Sequence, residues 1–95
     1  MWHLHGSDPG VSFRLAAGEV RTIGRATGAQ FIIDHPLVSR VHCRVTASET
    51  DTLAVEDLGS TNGTYVNGMR IDGPTPLVVG DTLTVGRVTL TVQEG

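Results

Sequence analysis

Turn-forming residues interrupt this chain so often that only short regular segments fit between them. Twelve glycines and four prolines are spread over 95 residues, and the stretches between them are rich in valine, threonine, isoleucine and leucine. No stretch keeps apolar residues at helical spacing for long enough to form an amphipathic helix. Because β-branched residues favour strands and glycine favours turns, the pattern predicts an all-β fold.

Alternation of apolar and polar residues marks the individual strands. Val88, Leu90 and Val92 share one parity, as a strand with one buried face requires. The pair Asn67-Gly68 supplies the two positive-φ residues of a tight hairpin turn. Candidate strands lie at about residues 2–5, 11–15, 19–24, 30–33, 41–47, 52–57, 64–66, 69–71, 77–79, 82–85 and 88–93.

The number and length of these segments favour a β-sandwich. We expect two packed, mostly antiparallel sheets built from about ten or eleven short strands. The 95 residues suffice for a single domain, residues 1–95, with one shared core. The predicted core includes Trp2, Phe13, Ile23, Ile33, Val41, Cys43, Val55, Leu83, Val85, Leu90 and Val92.

Composition argues against several classes of protein. The single cysteine, Cys43, cannot form an internal disulfide, which fits a reducing, cytoplasmic setting. No apolar run approaches the ~18 residues that a membrane span needs, so we expect no membrane insertion. The net charge is −3 and the seven basic residues, all arginines, are scattered, which argues against a nucleic-acid surface. We expect the isolated domain to be monomeric.

Three segments carry more hydrogen-bonding side chains than a strand connection needs. They are Ile23-Gly24-Arg25, Ser39-Arg40-Val41-His42 and the run Leu-Gly-Ser-Thr-Asn-Gly-Thr at residues 58–64. Together with the Asn-Gly turn that follows, and in this order, they resemble the forkhead-associated (FHA) domain family over about residues 19–94. The resemblance implies a β-sandwich with its binding loops at one end. It also implies binding to phosphothreonine-containing segments of proteins, the products of Ser/Thr protein kinases.

The resemblance assigns the phosphopeptide contacts to five residues. They are Arg25, Ser39, Arg40, Thr61 and Asn62. A phosphothreonine carries about −1.5 to −2 charges and three acceptor oxygens, so donors must reach it from several segments. A guanidinium suits the phosphate oxygens, and a side-chain amide offers both a donor and an acceptor to the peptide main chain.

Other residues are expected, by the same resemblance, to support the site or to set its specificity. The supporting residues are Gly24, His42, Gly59, Gly63, Asn67 and Gly68, with the His42 ring bonding loop backbone to keep Ser39 and the 59–63 loop in place. The specificity loop is expected at His35, Pro36, Leu37 and Val38, where Leu37 and Val38 would favour an apolar residue of the partner. No cofactor is expected.

An enzyme is one competing interpretation, and we expect no catalytic activity. Ser39 and His42 are three residues apart, so on one strand their side chains would leave opposite faces and, unless a bulge intervenes, could not form a nucleophile–base pair. Cys43 shares the parity of the apolar residues around it, which predicts a core thiol. Glu56 and Asp57 are adjacent and therefore diverge.

A metal site and phosphate-independent docking are two further interpretations of the sequence. His3 and His5 fall on one face of a strand, but two ligands without a third are weak evidence for a metal ion. A docking domain of the same fold would use the sandwich face or an exposed strand edge. Arg25, Ser39 and Thr61 favour phosphate binding, and docking remains the alternative function.

Overall fold

The structure, a computed structural model, describes residues 1–6, 11–50 and 52–95. These residues form the strands β1 (Trp2–Gly6), β2 (Ser12–Leu15), β3 (Val20–Gly24), β4 (Phe31–Ile32), β5 (Cys43–Ala47), β6 (Leu53–Asp57), β7 (Thr64–Val66), β8 (Met69–Arg70), β9 (Thr75–Leu77), β10 (Thr82–Val85) and β11 (Val88–Glu94). No helix of these residues is long and apolar enough to span a membrane.

The strands form two sheets. One sheet has the order β2-β1-β11-β10-β7-β8, and the other has the order β4-β3-β5-β6-β9. Neighbouring strands are antiparallel except β3 and β4, which are parallel. The prediction of an all-β sandwich with mostly antiparallel sheets is confirmed.

Apolar side chains from both sheets fill the space between them. Phe13 on β2 and Phe31 on β4 stack with ring centroids 4.4 Å apart, so a pair from the two edge strands closes one side of the sandwich. Phe13 itself is only partly buried. The predicted core residues that are buried are Trp2, Ile23, Ile33, Cys43, Val55, Leu83, Val85, Leu90 and Val92.

The prediction that Val41 is a core residue is wrong. Alternation predicts a strand from Val41 onward, but β5 begins at Cys43 and the chain bends before it. His42 takes the inward position with no exposed surface, whereas Val41 is 39% exposed. The bend therefore places two consecutive residues, His42 and Cys43, in the interior, which a regular strand cannot do.

The strand expected at residues 77–79 is displaced along the chain. β9 covers Thr75–Leu77, and the two valines that follow it are exposed. The Val78 N–H donates to Asp81 Oδ2 at 2.9 Å, and Gly80 has a φ of 94°. The chain turns here because the Asp81 carboxylate and a left-handed glycine satisfy the geometry of a turn.

Strand register brings four connections to one end of the sandwich. Ile23 in β3 pairs with Cys43 at the start of β5, and Cys43 also pairs with Asp57 at the end of β6. In the other sheet, Thr64 at the start of β7 pairs with Val85 at the end of β10. We call this end the apex and define it by residues 24–25, 33–42, 58–63 and 86–87.

Candidate functional site

β3 ends where its backbone crosses the segment that precedes β5. A Cβ atom on Gly24 would lie 2.0 Å from the carbonyl oxygen of Arg40, so only glycine fits at this position. At the next residue, the Arg25 N–H donates to the Ser39 carbonyl oxygen at 3.0 Å. This close crossing places Arg25 beside Ser39, although the two are far apart in sequence.

The Arg25 side chain is held at its Nε atom. Nε donates to the Val38 carbonyl oxygen at 3.0 Å, and the residue as a whole is exposed. In the part of the chain that the structure describes, neither Asp34 nor Asp57 forms an ion pair with it. The terminal guanidinium nitrogens of Arg25 are therefore not neutralised by an acid of these residues.

His42 links two loops through both of its ring nitrogens. Nδ1 accepts the Ser39 N–H at 3.0 Å, and Nε2 lies 2.8 Å from the Gly63 carbonyl oxygen. Because a carbonyl oxygen only accepts, Nε2 carries the proton. No ring atom is left to activate the Ser39 hydroxyl as a general base would. Ser39 and His42 therefore do not form a nucleophile–base pair. Strand parity is not the cause, because the bend at residues 39–42 brings the Ser39 backbone close to the His42 ring.

The Asp57 carboxylate organises the β6–β7 loop. Its Oδ2 accepts the N–H groups of Gly59 at 3.0 Å and Ser60 at 3.1 Å, and its Oδ1 accepts the hydroxyls of Ser60 and Thr64. Partial burial acts to raise the pKa of Asp57, but the bonds from Ser60, Thr64 and Gly59 outweigh it and lower the pKa. Sequence reasoning missed this role. The signal was an aspartate two residues before a Gly-Ser pair, which is typical of an Asx turn.

Ser60 and two glycines shape the tip of the same loop. The buried Ser60 Oγ accepts the Gly63 N–H at 2.9 Å. Gly59 and Gly63 have φ values of 76° and 85°, a region that residues with a side chain rarely adopt. As a result Thr61 and Asn62 lie exposed at the tip.

Two hydrogen bonds join the β6–β7 loop to the β4–β5 loop across the apex. The Thr61 N–H donates to Ser39 Oγ at 3.0 Å, and Asn62 Nδ2 donates to the Leu37 carbonyl oxygen at 2.9 Å. With the bond from Arg25 to Ser39, these contacts bring together four of the five predicted contact residues. Arg40, the fifth, follows Ser39 directly and is exposed.

The apical donors converge from three separate segments. Ser39 Oγ accepts from Thr61, so its own proton is available to another acceptor. The Thr61 side chain is exposed, and the guanidinium groups of Arg25 and Arg40 add charge-assisted donors. Such an arrangement suits an anion with several acceptor oxygens, because each segment can donate to a different oxygen.

The residues predicted to set specificity lie in different environments. His35 Nδ1 accepts the Leu37 N–H at 3.1 Å, and both residues are half-buried. Val38 is only 1% exposed, and its Cγ2 packs against the β10–β11 turn. The structure contradicts Val38 as a specificity side chain, because a partner cannot reach it. Its contribution is the carbonyl oxygen that holds Arg25.

The remaining reactive side chains of the described residues lie apart from one another, except for His3 and His5. Burial, together with the nearby charge of Asp57, raises the pKa of Cys43 to about 12, so its thiol stays protonated. Glu56 forms an ion pair with Arg44 on the neighbouring strand β5. His3 and His5 stack with centroids 5.6 Å apart, and residues 1–6, 11–50 and 52–95 contain no cluster of three metal-ligating side chains.

The residues of the apex, except Arg87, lie within a region that matches a known protein family. The family model of the FHA domain matches residues 21–86, which is more than half of the chain. This chain belongs to the FHA domain family. The resemblance that the polar segments indicate is thereby confirmed, and the matched region contains the end of β3 and the β4–β5 and β6–β7 loops. FHA domains are binding modules.

Relatives of this FHA domain include parts of much longer proteins. The ABC transporter ATP-binding/permease protein Rv1747 of Mycobacterium tuberculosis is 38% identical over 81 residues, which cover 85% of this chain and 9% of that protein. The chain thus spans about a tenth of that relative's length.

Solved FHA domains are similar over nearly the whole chain. The FHA domain of FhaA, complexed with the intracellular domain of Rv3910, is 31% identical with a TM-score of 0.88 and covers 98% of this chain and 100% of that one. Another FHA domain, from an analysis of phosphothreonine-dependent FHA interactions, is 30% identical with a TM-score of 0.89 and covers 99% and 96%.

Proposed function

We propose that this FHA domain binds a phosphothreonine in an extended segment of a partner protein that a threonine kinase has modified. The observation that carries the proposal is the convergence of Arg25, Ser39 and Thr61 at the apex, where hydrogen bonds already fix their backbones. The related FHA domain studied for phosphothreonine-dependent interactions supports the same chemistry.

Each apical residue has a distinct role in the proposal. Arg25 supplies the main charge-assisted contact, which is worth about 1.5 to 3 kcal/mol. Ser39 and Thr61 donate their hydroxyls to phosphate oxygens, and Arg40 contacts the phosphate or the peptide main chain. Asn62 holds the main chain next to the phosphothreonine, and its bond to Leu37 positions the amide before the partner arrives.

The supporting residues keep this arrangement in place before binding. His42 fixes the distance between Ser39 and Gly63, and Asp57 fixes the curvature of the β6–β7 loop. A site that is already ordered loses little conformational entropy on binding, so a small surface can still hold a peptide. We expect a dissociation constant of about 1 µM, corresponding to about −8 kcal/mol, which suits a reversible switch.

We further propose that the domain is not an enzyme and works in the cytoplasm. The protonated Cys43 thiol and the fully bonded His42 ring support the first point, because neither can act as a nucleophile or a base. The buried Cys43, which forms no disulfide among the described residues, supports the second, since a lone thiol suits a reducing compartment.

The test is a titration with matched peptide libraries that carry phosphothreonine, phosphoserine or unmodified threonine. Only the phosphothreonine library should bind, and Arg25→Ala should weaken its binding at least about tenfold, which corresponds to about 1.4 kcal/mol. The control is Arg44→Ala, because Arg44 lies on β5 in an exposed ion pair with Glu56. Equal binding of all three libraries, or of none, would instead favour docking without phosphate. Unchanged binding of the phosphothreonine library by Arg25→Ala would overturn the role assigned to Arg25.

A further inference from the structure

The seven arginines of this chain differ in location and in pairing. Arg21 and Arg44 form ion pairs with glutamates on the sheet that contains β3 and β5. Four others lie at or beside the apex, namely Arg25, Arg40, Arg70 and Arg87. Within the described residues none of these four forms an ion pair. The apex is therefore basic although the net charge of the chain is −3.

Arg70, at the end of β8, reaches over the tip of the β6–β7 loop. β8 pairs Arg70 with Tyr65, so its side chain starts close to the beginning of β7. The guanidinium then lies against Gly63, with Nε 2.8 Å and Cζ 3.0 Å from the position that a Cβ atom on Gly63 would occupy. This places a positive charge against Gly63, the residue that follows Asn62 in the sequence.

Arg87 flanks the same site from the β10–β11 turn. The turn packs against the β4–β5 loop, because a Cβ atom on Gly86 would lie 3.3 Å from the Leu37 carbonyl oxygen and 2.9 Å from Val38 Cγ2. The Leu37 carbonyl oxygen is the acceptor of the Asn62 amide. Arg70 thus contacts the residue after Asn62, Arg87 follows the glycine that packs against Leu37, and both arginines are exposed.

We propose that Arg70 and Arg87 select partners whose phosphothreonine is flanked by acidic side chains. The inference rests on the proposed function, in which Arg25 binds the phosphate and Arg40 binds the phosphate or the peptide main chain. It specifies which partner segments the domain prefers, and it differs from the apolar preference that Leu37 and Val38 predict.

Among the described residues, no acid forms an ion pair with these two arginines. The Asp57 carboxylate accepts bonds from the N–H groups of Gly59 and Ser60 and from the hydroxyls of Ser60 and Thr64. Asp34 and Asp72 are exposed near the apex, and in the ranges that the structure describes neither pairs with Arg70 or Arg87. Carboxylates of a bound partner are therefore the natural counter-charges.

The test compares two phosphothreonine peptides that differ only in having glutamate or glutamine at the flanking positions. Wild-type protein should prefer the glutamate peptide, and Arg70→Gln and Arg87→Gln should each reduce the affinity ratio by about two- to fivefold, as expected for exposed charge pairs. The ratio should also fall as salt rises. Arg14→Gln is the matched control, because Arg14 lies on β2, is exposed and should leave the ratio unchanged.

The outcomes separate this inference from the proposed function. Equal affinity of wild-type protein for both phosphopeptides, or a preference that persists in the Arg70→Gln/Arg87→Gln double variant, would overturn the acidic selection while leaving phosphothreonine binding intact. If neither phosphopeptide binds better than its unphosphorylated form, both ideas fail. Arg70 lies on β8 and Arg87 in the β10–β11 turn, so a folding defect in one variant still leaves the other as a test.

Discussion

At the residue scale, Gly24 and His42 show how the apex depends on side chains that need not touch a partner. Gly24 lets β3 cross the Arg40 backbone, and His42 joins Ser39 to Gly63. The first is a steric requirement and the second a pair of buried hydrogen bonds. Gly24 sets how closely β3 approaches the segment before β5, and His42 sets the distance between Ser39 and Gly63. Each residue therefore positions Arg25 or Ser39 indirectly.

Gly24→Ala should destabilise the fold by about 2 kcal/mol or more, because its Cβ atom would lie 2.0 Å from a backbone oxygen that cannot rotate away. Gly73→Ala is the control, since a Cβ atom there meets nothing within 4 Å, and we expect a change within about 0.5 kcal/mol. Urea denaturation of the three proteins measures both effects. Similar midpoints for Gly24→Ala and wild type would show that the crossing can relax.

At the element scale, two aspartates each organise one connection. Asp57 shapes the β6–β7 loop, and hydrogen bonds from Asn67 and the Val78 N–H to Asp81 tie the β9–β10 turn to the β7–β8 turn. The hydrogen bond from Asn67, followed by that from the Val78 N–H, lowers the pKa of Asp81. The hydrogen bonds to Asp57 likewise lower the pKa of Asp57. Only the Asp57 loop lies at the apex, and the Asp81 turn lies at the opposite end.

Both aspartates should link stability to acid pH. Since the folded pKa of each lies below the ordinary value of 3.8, the charged form contributes stability above that pH and loses it as pH falls through the folded pKa. Asp57→Asn and Asp81→Asn should therefore be less stable than wild type at neutral pH, with the gap narrowing below pH 3.8. Urea midpoints measured across pH test this.

The same two variants should differ in binding. Asp57→Asn replaces an acceptor-only carboxylate by an amide whose N–H groups face the loop's donors, so phosphopeptide affinity should fall. Asp81→Asn should keep it. Equal affinities in both variants, measured by anisotropy at neutral pH, would show that the curvature of the β6–β7 loop does not control the site.

At the scale of the whole molecule, both sheets share one core, and Cys43 lies inside it with no exposed surface. Cys43 belongs to β5, which pairs with β3 and β6 and leads directly from the apex. Exposing its thiol therefore requires β5 to separate from the core, which disrupts the sheet that contains β3, β5 and β6. Reactivity of Cys43 reports the opening of the molecule rather than local motion of a loop.

We expect Cys43 in the native protein to resist alkylation at pH 8, because burial blocks access and a pKa of about 12 leaves only about one thiol in 10⁴ ionised. The rate should follow the unfolded population as urea is added, and a bound phosphopeptide should slow it. Thr52→Cys, at an exposed position, is the fast-reacting control. Labelling of Cys43 at the control's rate without urea would contradict a closed core.

Several features of this protein follow from the sequence alone. Strand parity placed Leu83, Val85, Leu90 and Val92 in the interior, and the Asn67-Gly68 pair has the φ values of 51° and 82° that a tight hairpin turn requires. These features are local, since alternation and turn chemistry depend on residues within a few positions of each other. The order of the polar segments was also sufficient to predict the family.

Only the tertiary structure decided how the polar segments meet. The bend before β5 exchanged the positions of Val41 and His42, and the packing of the β10–β11 turn buried Val38. The approach of Arg70 to Gly63 also depends on the register between β7 and β8. Such contacts join residues that are distant in sequence, so their geometry is determined by sheet pairing and loop packing and not by any local pattern.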